Sequence, residues 1–162
     1  MSISPTDRLF LAQSEAAKKE SHDPGRQVGA TLVSASGQMI ATGTNRPPSA
    51  MGLSSADSRM AIAADPNWKY FVIEHAERNA ICNAHDQGHS LAGATIYVTL
   101  FPCADCARAI VSAGVRRLVA PRPTVSTVAD EKWRAHFEYA QEIFARSGVE
   151  MTLFESLEAG DE

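Results

Sequence analysis

The chain has 162 residues, 44% of them hydrophobic and 21% charged, a composition typical of a globular protein with a core of its own. Its formal charge is −4, and long nucleic acids are held mainly by basic surfaces, so we expect a small-molecule ligand rather than a long nucleic acid. No apolar run approaches the roughly 18–20 residues that cross a bilayer, and residues 1–7 lack the basic and apolar stretches of a secretory signal. We therefore predict a single domain over 1–162, located in the cytoplasm, with no membrane partner and a frayed tail over 158–162.

The elements begin with a helix that starts at Ser4-Pro5-Thr6-Asp7, where a capping serine precedes a proline and an acidic residue. Two β-rich runs joined by Ala35-Ser36-Gly37 predict an antiparallel hairpin. The predicted elements after the first helix are a hairpin over 28–34 and 38–44, a long loop over 45–69 with one short helix over 58–64, a helix over 74–85, a strand over 95–100, a helix over 103–113, a strand over 117–120, a helix over 130–147 and a strand over 150–154.

This order of elements predicts the fold class. Strands that alternate with helices favour a mostly parallel sheet with helices on both of its faces, and the early hairpin adds an antiparallel pair. We therefore predict an α/β protein with three layers, α/β/α, around a mixed five-stranded sheet.

Two short motifs carry the chemistry: His75-Ala76-Glu77 and Pro102-Cys103-Ala104-Asp105-Cys106. An odd number of cysteines, three, in a chain without an export signal indicates metal ligands or free thiols rather than disulfides. One imidazole and two thiolates are suitable zinc ligands, and three protein ligands leave the fourth tetrahedral position open, as in catalytic zinc sites. Glu77 is then a spare carboxylate that can move protons between a zinc-bound water and a substrate.

Each part of this pattern has a simpler explanation when it is taken alone. The Cys-x-x-Cys pair is also typical of thioredoxin-like redox sites, and a lone histidine or glutamate at a helix start is typical of capping. The combination of both motifs, with proline directly before the first cysteine, favours catalytic zinc. A structural zinc site is disfavoured because neither motif supplies a fourth ligand.

With these motifs the sequence resembles the cytidine and deoxycytidylate deaminase family, and within it the deoxycytidylate (dCMP) deaminase branch. The shared zinc-deaminase signature is a histidine, a proton-shuttling glutamate and a later Pro-Cys-x-x-Cys. The stretches that carry the resemblance are Ser21–Pro24, Gln27–Ala30, Gly43–Asn45, His75–Ile81, and Tyr97–Thr99 leading into Pro102–Ala107. Two departures are Thr44, where an aromatic residue is usual, and Arg46-Pro47-Pro48, where that branch has glycine and an aromatic-proline pair.

The resemblance implies a cytidine-deaminase-like fold and conversion of a cytosine nucleotide, dCMP, to dUMP with release of ammonia. It implies that His75, Cys103 and Cys106 bind Zn²⁺ and that Glu77 shuttles protons. The predicted substrate contacts are Asn45 with the sugar or base, the Ala76 backbone with the ring carbonyl, Phe101 as a pocket wall, and Arg26 and Lys69 with phosphate. Family members are usually homo-oligomers, so we expect a dimer or a hexamer.

Several alternatives stay open on the sequence alone. The same chemistry serves deaminases of another base, such as guanine, cytosine or a tRNA adenosine, and a non-catalytic zinc module is a third hypothesis.

Tyr70 and Trp68 could stack on a base, although packing is the more common role of such residues. Cys82, His85 and His89 leave a second metal open, but Cys82 is expected on the apolar side of its helix as a buried thiol.

Overall fold

The computed structural model describes residues 3–125 and 128–155, so the predicted tail over 158–162 lies outside the described residues. Within them, five strands form one sheet and six α-helices surround it. The strands are β1 (Gly29–Val33), β2 (Met39–Thr44), β3 (Thr95–Val98), β4 (Arg117–Pro121) and β5 (Glu150–Phe154). The helices are α1 (Pro5–Lys18), α2 (Ser55–Ala64), α3 (Trp68–Val72), α4 (Ala76–Asp86), α5 (Ala104–Ser112) and α6 (Arg134–Arg146), with 3₁₀ turns at Ser49–Met51 and Val128–Trp133.

The sheet has the order β2-β1-β3-β4-β5. The chain leaves β2, passes over β1 through α4 and returns in β3, so β2 and β3 run in the same direction and β1 lies antiparallel to both. Only β3, β4 and β5 form parallel pairs. The mixed five-stranded sheet with its early hairpin is therefore confirmed, whereas the expectation of a mostly parallel sheet overstated the parallel part.

Helices cover both faces of the sheet. Because alternate strand residues point to opposite sides, neighbouring residues of one strand belong to different cores. On one face Leu11 of α1 packs against Val33, Tyr97 and Val119. On the other face Leu32 belongs to a larger core that includes residues from α4, α5 and α6. This arrangement confirms the three-layer α/β/α prediction. No helix within the described ranges combines the length and apolar character needed to cross a membrane.

The region predicted as a long loop is more ordered than expected. It contains α2, which confirms the short helix predicted over 58–64 and starts three residues earlier, at a capping box between Ser54 and Asp57. It also contains the short α3, which was not predicted. Sequence reasoning missed α3 because its residues, Trp-Lys-Tyr-Phe-Val, are mostly aromatic or β-branched and have modest helix propensity. The helix predicted over 130–147 also differs, since its first turns form the 3₁₀ segment Val128–Trp133 before α6 begins.

The close approach of α4 to β2 determines the position of the His75-Ala76-Glu77 motif. A Cβ atom on Gly43 of β2 would lie 2.3 Å from the Ala76 carbonyl oxygen and 2.4 Å from the Ala80 backbone nitrogen. Only glycine therefore permits this contact, and the facing helix residues, Ala76 and Ala80, are small and fully buried. The first turn of α4 is held directly against the sheet as a result.

A partly buried ion pair connects α1 to the parallel half of the sheet. Asp7 accepts hydrogen bonds from both Arg117 Nη atoms, at 2.8 and 3.1 Å, and from the Tyr97 hydroxyl at 3.1 Å. It also forms a capping box with Ser4. The Arg117 guanidinium is the largest of the influences that hold the pKa of Asp7 well below its usual range.

We expect Asp7→Asn to lower the free energy of unfolding by about 2–3 kcal/mol at pH 7, because Arg117 loses its buried partner. The folded-state pKa of Asp7 is depressed, so its contribution is present above the unfolded pKa of about 3.9 and declines as the pH falls through the range below it. Urea denaturation of both proteins at pH 7, 4 and 3 measures the difference, which should shrink at acidic pH. A difference that stays constant down to pH 3 would contradict a charge-dependent role.

Candidate active site

The two motifs meet because each begins a helix and the two helices, α4 and α5, contact each other. His75 is the N-cap residue of α4, with an extended backbone at φ −74° and ψ 152°. Cys103 is the N-cap residue of α5, and Cys106 lies in the first turn of that helix. Before α4, the backbones of Glu74 and Arg46 exchange hydrogen bonds of 3.1 and 3.2 Å, which holds the chain extended up to His75. Because His75 precedes the helix proper, it and Glu77 face the same cavity even though they are only two residues apart.

The three predicted zinc ligands converge with suitable spacing. His75 Nδ1 lies 3.5 Å from Cys103 Sγ and 3.3 Å from Cys106 Sγ. All three ligand atoms lie within 4.8 Å of one another. A tetrahedral site with Zn–S of about 2.3 Å and Zn–N of about 2.0 Å has an N–S edge of about 3.5 Å. The donor set and its spacing therefore fit Zn²⁺ without rearrangement of the helices.

Hydrogen bonds among these three side chains shift their pKa values. Hydrogen bonds from Cys106 and from His75, in that order of strength, lower the pKa of Cys103 to about 4 against the opposing effect of burial. The same contact with Cys103 is the main cause that raises the pKa of His75 to about 9, while Cys103 and burial raise the pKa of the Cys106 thiol. One thiolate thus accepts from two donors, and a bound dication takes the place of those protons.

Glu77 lies beside the three ligands but is not one of them. Its side chain is buried, with 4% of the residue exposed, and it borders the same cavity as His75 and Cys103. Burial raises the pKa of Glu77, whereas the nearby His75 opposes that rise. A buried carboxyl group with a raised pKa is suited to accept and return a proton.

The cavity has a volume of about 410 Å³, within the range of small-molecule sites. It is lined by eight of the nine predicted site residues, and their individual roles stay predictions. Those eight residues are Arg26, Asn45, Lys69, His75, Ala76, Glu77, Phe101 and Cys103. The ninth, Cys106, is fully buried and contacts His75 without lining the cavity.

Asn45 is held rigidly at the edge of the cavity. Its Oδ1 accepts from Ser21 Oγ at 2.6 Å and from the Val28 backbone N–H at 2.9 Å. Its Nδ2 donates to the Arg26 carbonyl oxygen at 2.7 Å. An amide nitrogen has two N–H donors, so one stays available for a ligand. Phe101 is almost fully buried and packs edge-on against Phe137, with ring centroids 5.9 Å apart.

The two predicted phosphate contacts already have acidic partners. Arg26 forms an ion pair with Asp130, and its guanidinium lies 5.8 Å from the centroid of the Trp133 ring. Lys69 Nζ lies 3.0 Å from Asp23 Oδ2. Much of the positive charge of both residues is therefore offset inside the protein.

Sequence reasoning missed one wall of the cavity. Lys132, Trp133 and His136 line it from the 3₁₀ turn and the start of α6, and no local signal marks them, because the region shows only a helical pattern. Tyr70 also lines the cavity, consistent with the stacking role considered for it, whereas Trp68 is not among the lining residues.

The possible second metal finds no support in the part of the chain that the structure describes. The expectation that Cys82 is a buried thiol is wrong: Cys82 is exposed, on the outer side of α4, and His85 and His89 are exposed as well. Over residues 3–125 and 128–155, the one cluster of metal-ligating side chains is His75, Cys103 and Cys106.

An α/β/α fold with a histidine and two cysteines at the starts of two helices, and a buried glutamate beside them, is the arrangement of zinc-dependent base deaminases. Residues 4–121 match the family described as the cytidine and deoxycytidylate deaminase zinc-binding region. The chain belongs to this family, and Zn²⁺ is the metal of its ligand group.

Individual relatives agree with this assignment. An uncharacterized deaminase encoded in the luxG 3′ region of Aliivibrio fischeri is 31% identical over 150 residues, which are 93% of this chain and 94% of that protein. Human deoxycytidylate deaminase is 32% identical over 110 residues, 68% of this chain, so the chain matches only 61% of the human protein's length. The crystal structure of apo dCMP deaminase from cyanophage S-TIM5 has the same fold, with a TM-score of 0.68 and 22% identity over 94% of this chain and 100% of that one. The predicted resemblance to the dCMP deaminase branch is confirmed.

Proposed function

We propose that this protein is a zinc-dependent hydrolytic deaminase that converts dCMP and water to dUMP and ammonia. The observation that carries the proposal is the N–S spacing of 3.3 and 3.5 Å in the His75, Cys103 and Cys106 group, with the buried Glu77 on the same cavity. Deoxycytidylate deaminases among the relatives support the choice of substrate.

His75 Nδ1, Cys103 Sγ and Cys106 Sγ would hold the zinc ion. Zinc bound in such an open site acts as a Lewis acid and brings the pKa of a bound water close to neutrality. The helix N-termini at His75 and Cys103 add positive dipole ends that stabilise the thiolate charge.

Glu77 moves the protons. Its carboxylate takes a proton from the water and delivers it to the ring nitrogen next to the carbon that carries the amino group. It then delivers the second proton of that water to the amino nitrogen, which leaves as ammonia while the ring carbon keeps the oxygen as a carbonyl. The low exposure of Glu77 keeps competing water away from these transfers.

Three residues orient the base and sugar in this proposal. The free N–H of Asn45 Nδ2 donates to the sugar or base, and its other contacts hold that side chain in place. Ala76 is the first residue of α4, and a backbone N–H at this position has no partner within the helix, so it can donate to the ring carbonyl. Phe101 provides an apolar wall.

The departures from the dCMP branch fall beside this site. Thr44, in place of an aromatic residue, is buried and donates from Oγ1 to the Val28 carbonyl oxygen at 2.8 Å, so it packs the strand edge behind the cavity. Arg46 pairs with Glu74 through the backbone, directly before His75. Thr44 and Arg46 contact backbone groups around the site and not the zinc ligands. They therefore leave the deamination chemistry intact and affect which substrate binds.

A substrate panel tests the proposal. With the zinc-loaded protein, we expect ammonia release from dCMP with a kcat/KM at least about tenfold above that for deoxycytidine, cytosine, guanine and a tRNA anticodon hairpin that contains adenosine. Faster release from guanine or from the hairpin would replace the substrate assignment and keep the chemistry. Full zinc content without any turnover would favour a non-catalytic zinc module.

The predicted dimer or hexamer is tested by light scattering of the same sample.

A further inference from the structure

The cationic side chains at the cavity are not equivalent. Three of them line it, namely Arg26, Lys69 and Lys132. The first two form ion pairs with Asp130 and Asp23. Lys132 has no carboxylate partner at ion-pair distance within the described ranges, and its hydrogen-bond partner is the neutral Tyr70 hydroxyl, 2.9 Å from Nζ.

The Lys132 ammonium is nevertheless held in place. Its Nζ lies 4.5 Å from the centroid of the Tyr70 ring and 5.7 Å from the centroid of the Trp133 ring. Lys69 Nζ approaches the same Tyr70 ring at 5.5 Å, so two ammonium groups meet at one phenol. An ammonium has three N–H donors and the hydroxyl uses one, which leaves two for a ligand. Lys132 is exposed at this wall and has no carboxylate partner among the described residues, so its ammonium is suited to an anionic ligand.

We propose that Lys132 binds the 5′-phosphate of the nucleotide substrate and thereby sets the preference for nucleotides over nucleosides. The inference rests on the proposed function, since it takes the base to lie at the Glu77 end of the same cavity. A phosphate that reached Arg26 or Lys69 would have to compete with Asp130 or Asp23, whereas at Lys132 no carboxylate of the described residues would have to be displaced.

The position of Lys132 in the chain agrees with a role in specificity. The zinc ligands and Glu77 lie within the shared family region, 4–121, whereas Lys132 lies outside it. The proposed phosphate contact then lies in a different segment from the catalytic residues, as expected where added elements help to select the substrate on a shared catalytic fold.

Lys132→Met tests the proposal, because methionine keeps much of the side-chain length without the charge. We expect kcat/KM for dCMP to fall about tenfold to a hundredfold, mainly through KM, since a charge-assisted hydrogen bond to phosphate is lost. Turnover of deoxycytidine should stay within about twofold. Lys132→Arg should recover most of the activity on dCMP. Lys19→Met, which removes an exposed charge at the end of α1, should leave both substrates unaffected.

Calorimetric binding of the product gives a readout that does not need turnover. The wild-type protein should bind dUMP more tightly than deoxyuridine, and Lys132→Met should lose most of this difference. If the wild-type protein shows no preference for the phosphorylated compounds, the nucleotide assignment and the Lys132 proposal both fail. If the wild-type preference is present and Lys132→Met retains it, the proposed function stands and the role of Lys132 is refuted. Equal losses on dCMP and deoxycytidine would also refute it, because they indicate a general structural effect.

Discussion

Glu77→Gln is expected to lower kcat for deamination by about a thousandfold to ten-thousandfold while zinc content and fold are retained. The amide has the same size as the carboxyl group but cannot accept a proton from water and pass it to the ring nitrogen and the leaving amine. Since burial already raises the pKa of Glu77, a neutral amide suits its surroundings, and we expect the Tm to change by no more than a few degrees. Steady-state ammonia release, zinc analysis and thermal melting of one preparation measure the three properties.

Two further variants make this result specific. Glu138→Gln introduces the same chemical change at an exposed position on α6 and should retain wild-type kcat. Glu77→Asp keeps a carboxylate but withdraws it by one methylene, so it should retain more activity than the glutamine variant while remaining impaired. Substantial turnover by Glu77→Gln with bound zinc would remove Glu77 from the proton transfers.

The parts of the fold that the sequence predicted well are those that local chemistry determines. The Ser4–Asp7 capping box begins α1 as expected, and the last strand was predicted with its observed bounds, Glu150–Phe154. Strand order is a long-range property, and the antiparallel pairing of β1 with β3 depends on the path of the α4 crossover. No pattern within β1 or β3 carries that information.

The same division applies to the site. His75, Cys103 and Cys106 were predicted together because ligand chemistry is visible in short motifs, and the structure places them at helix starts, as expected. Lys132 and Trp133 could not be predicted, because they reach the cavity only when the 3₁₀ turn lies against it. The Arg26–Asp130 ion pair joins this turn to the other wall of the cavity, and its two residues lie far apart in the chain. For the same reason the sequence could not show that Arg26 has an acidic partner.

Cys106→Ser is expected to lose both zinc and activity. Cys106 is fully buried, and its Sγ lies 3.3 Å from His75 Nδ1. Serine retains a hydroxyl that stays protonated and binds Zn²⁺ far more weakly than a thiolate does. We therefore expect less than about one zinc in ten chains after dialysis and a loss of kcat/KM of at least about a thousandfold. Atomic absorption and ammonia release measure these quantities.

Cys82→Ser is a matched control, because it makes the same atomic change at an exposed cysteine outside the ligand group. It should retain zinc in a 1:1 ratio and full activity. Zinc that binds only the folded chain also stabilises it, so a chelator should lower the Tm of the wild-type and Cys82→Ser proteins and leave that of Cys106→Ser unchanged. Retention of zinc by Cys106→Ser, or its loss from Cys82→Ser, would show that the metal is held elsewhere. The proposed catalytic role of Glu77 would then lose its basis, since that role depends on water bound at this group of ligands.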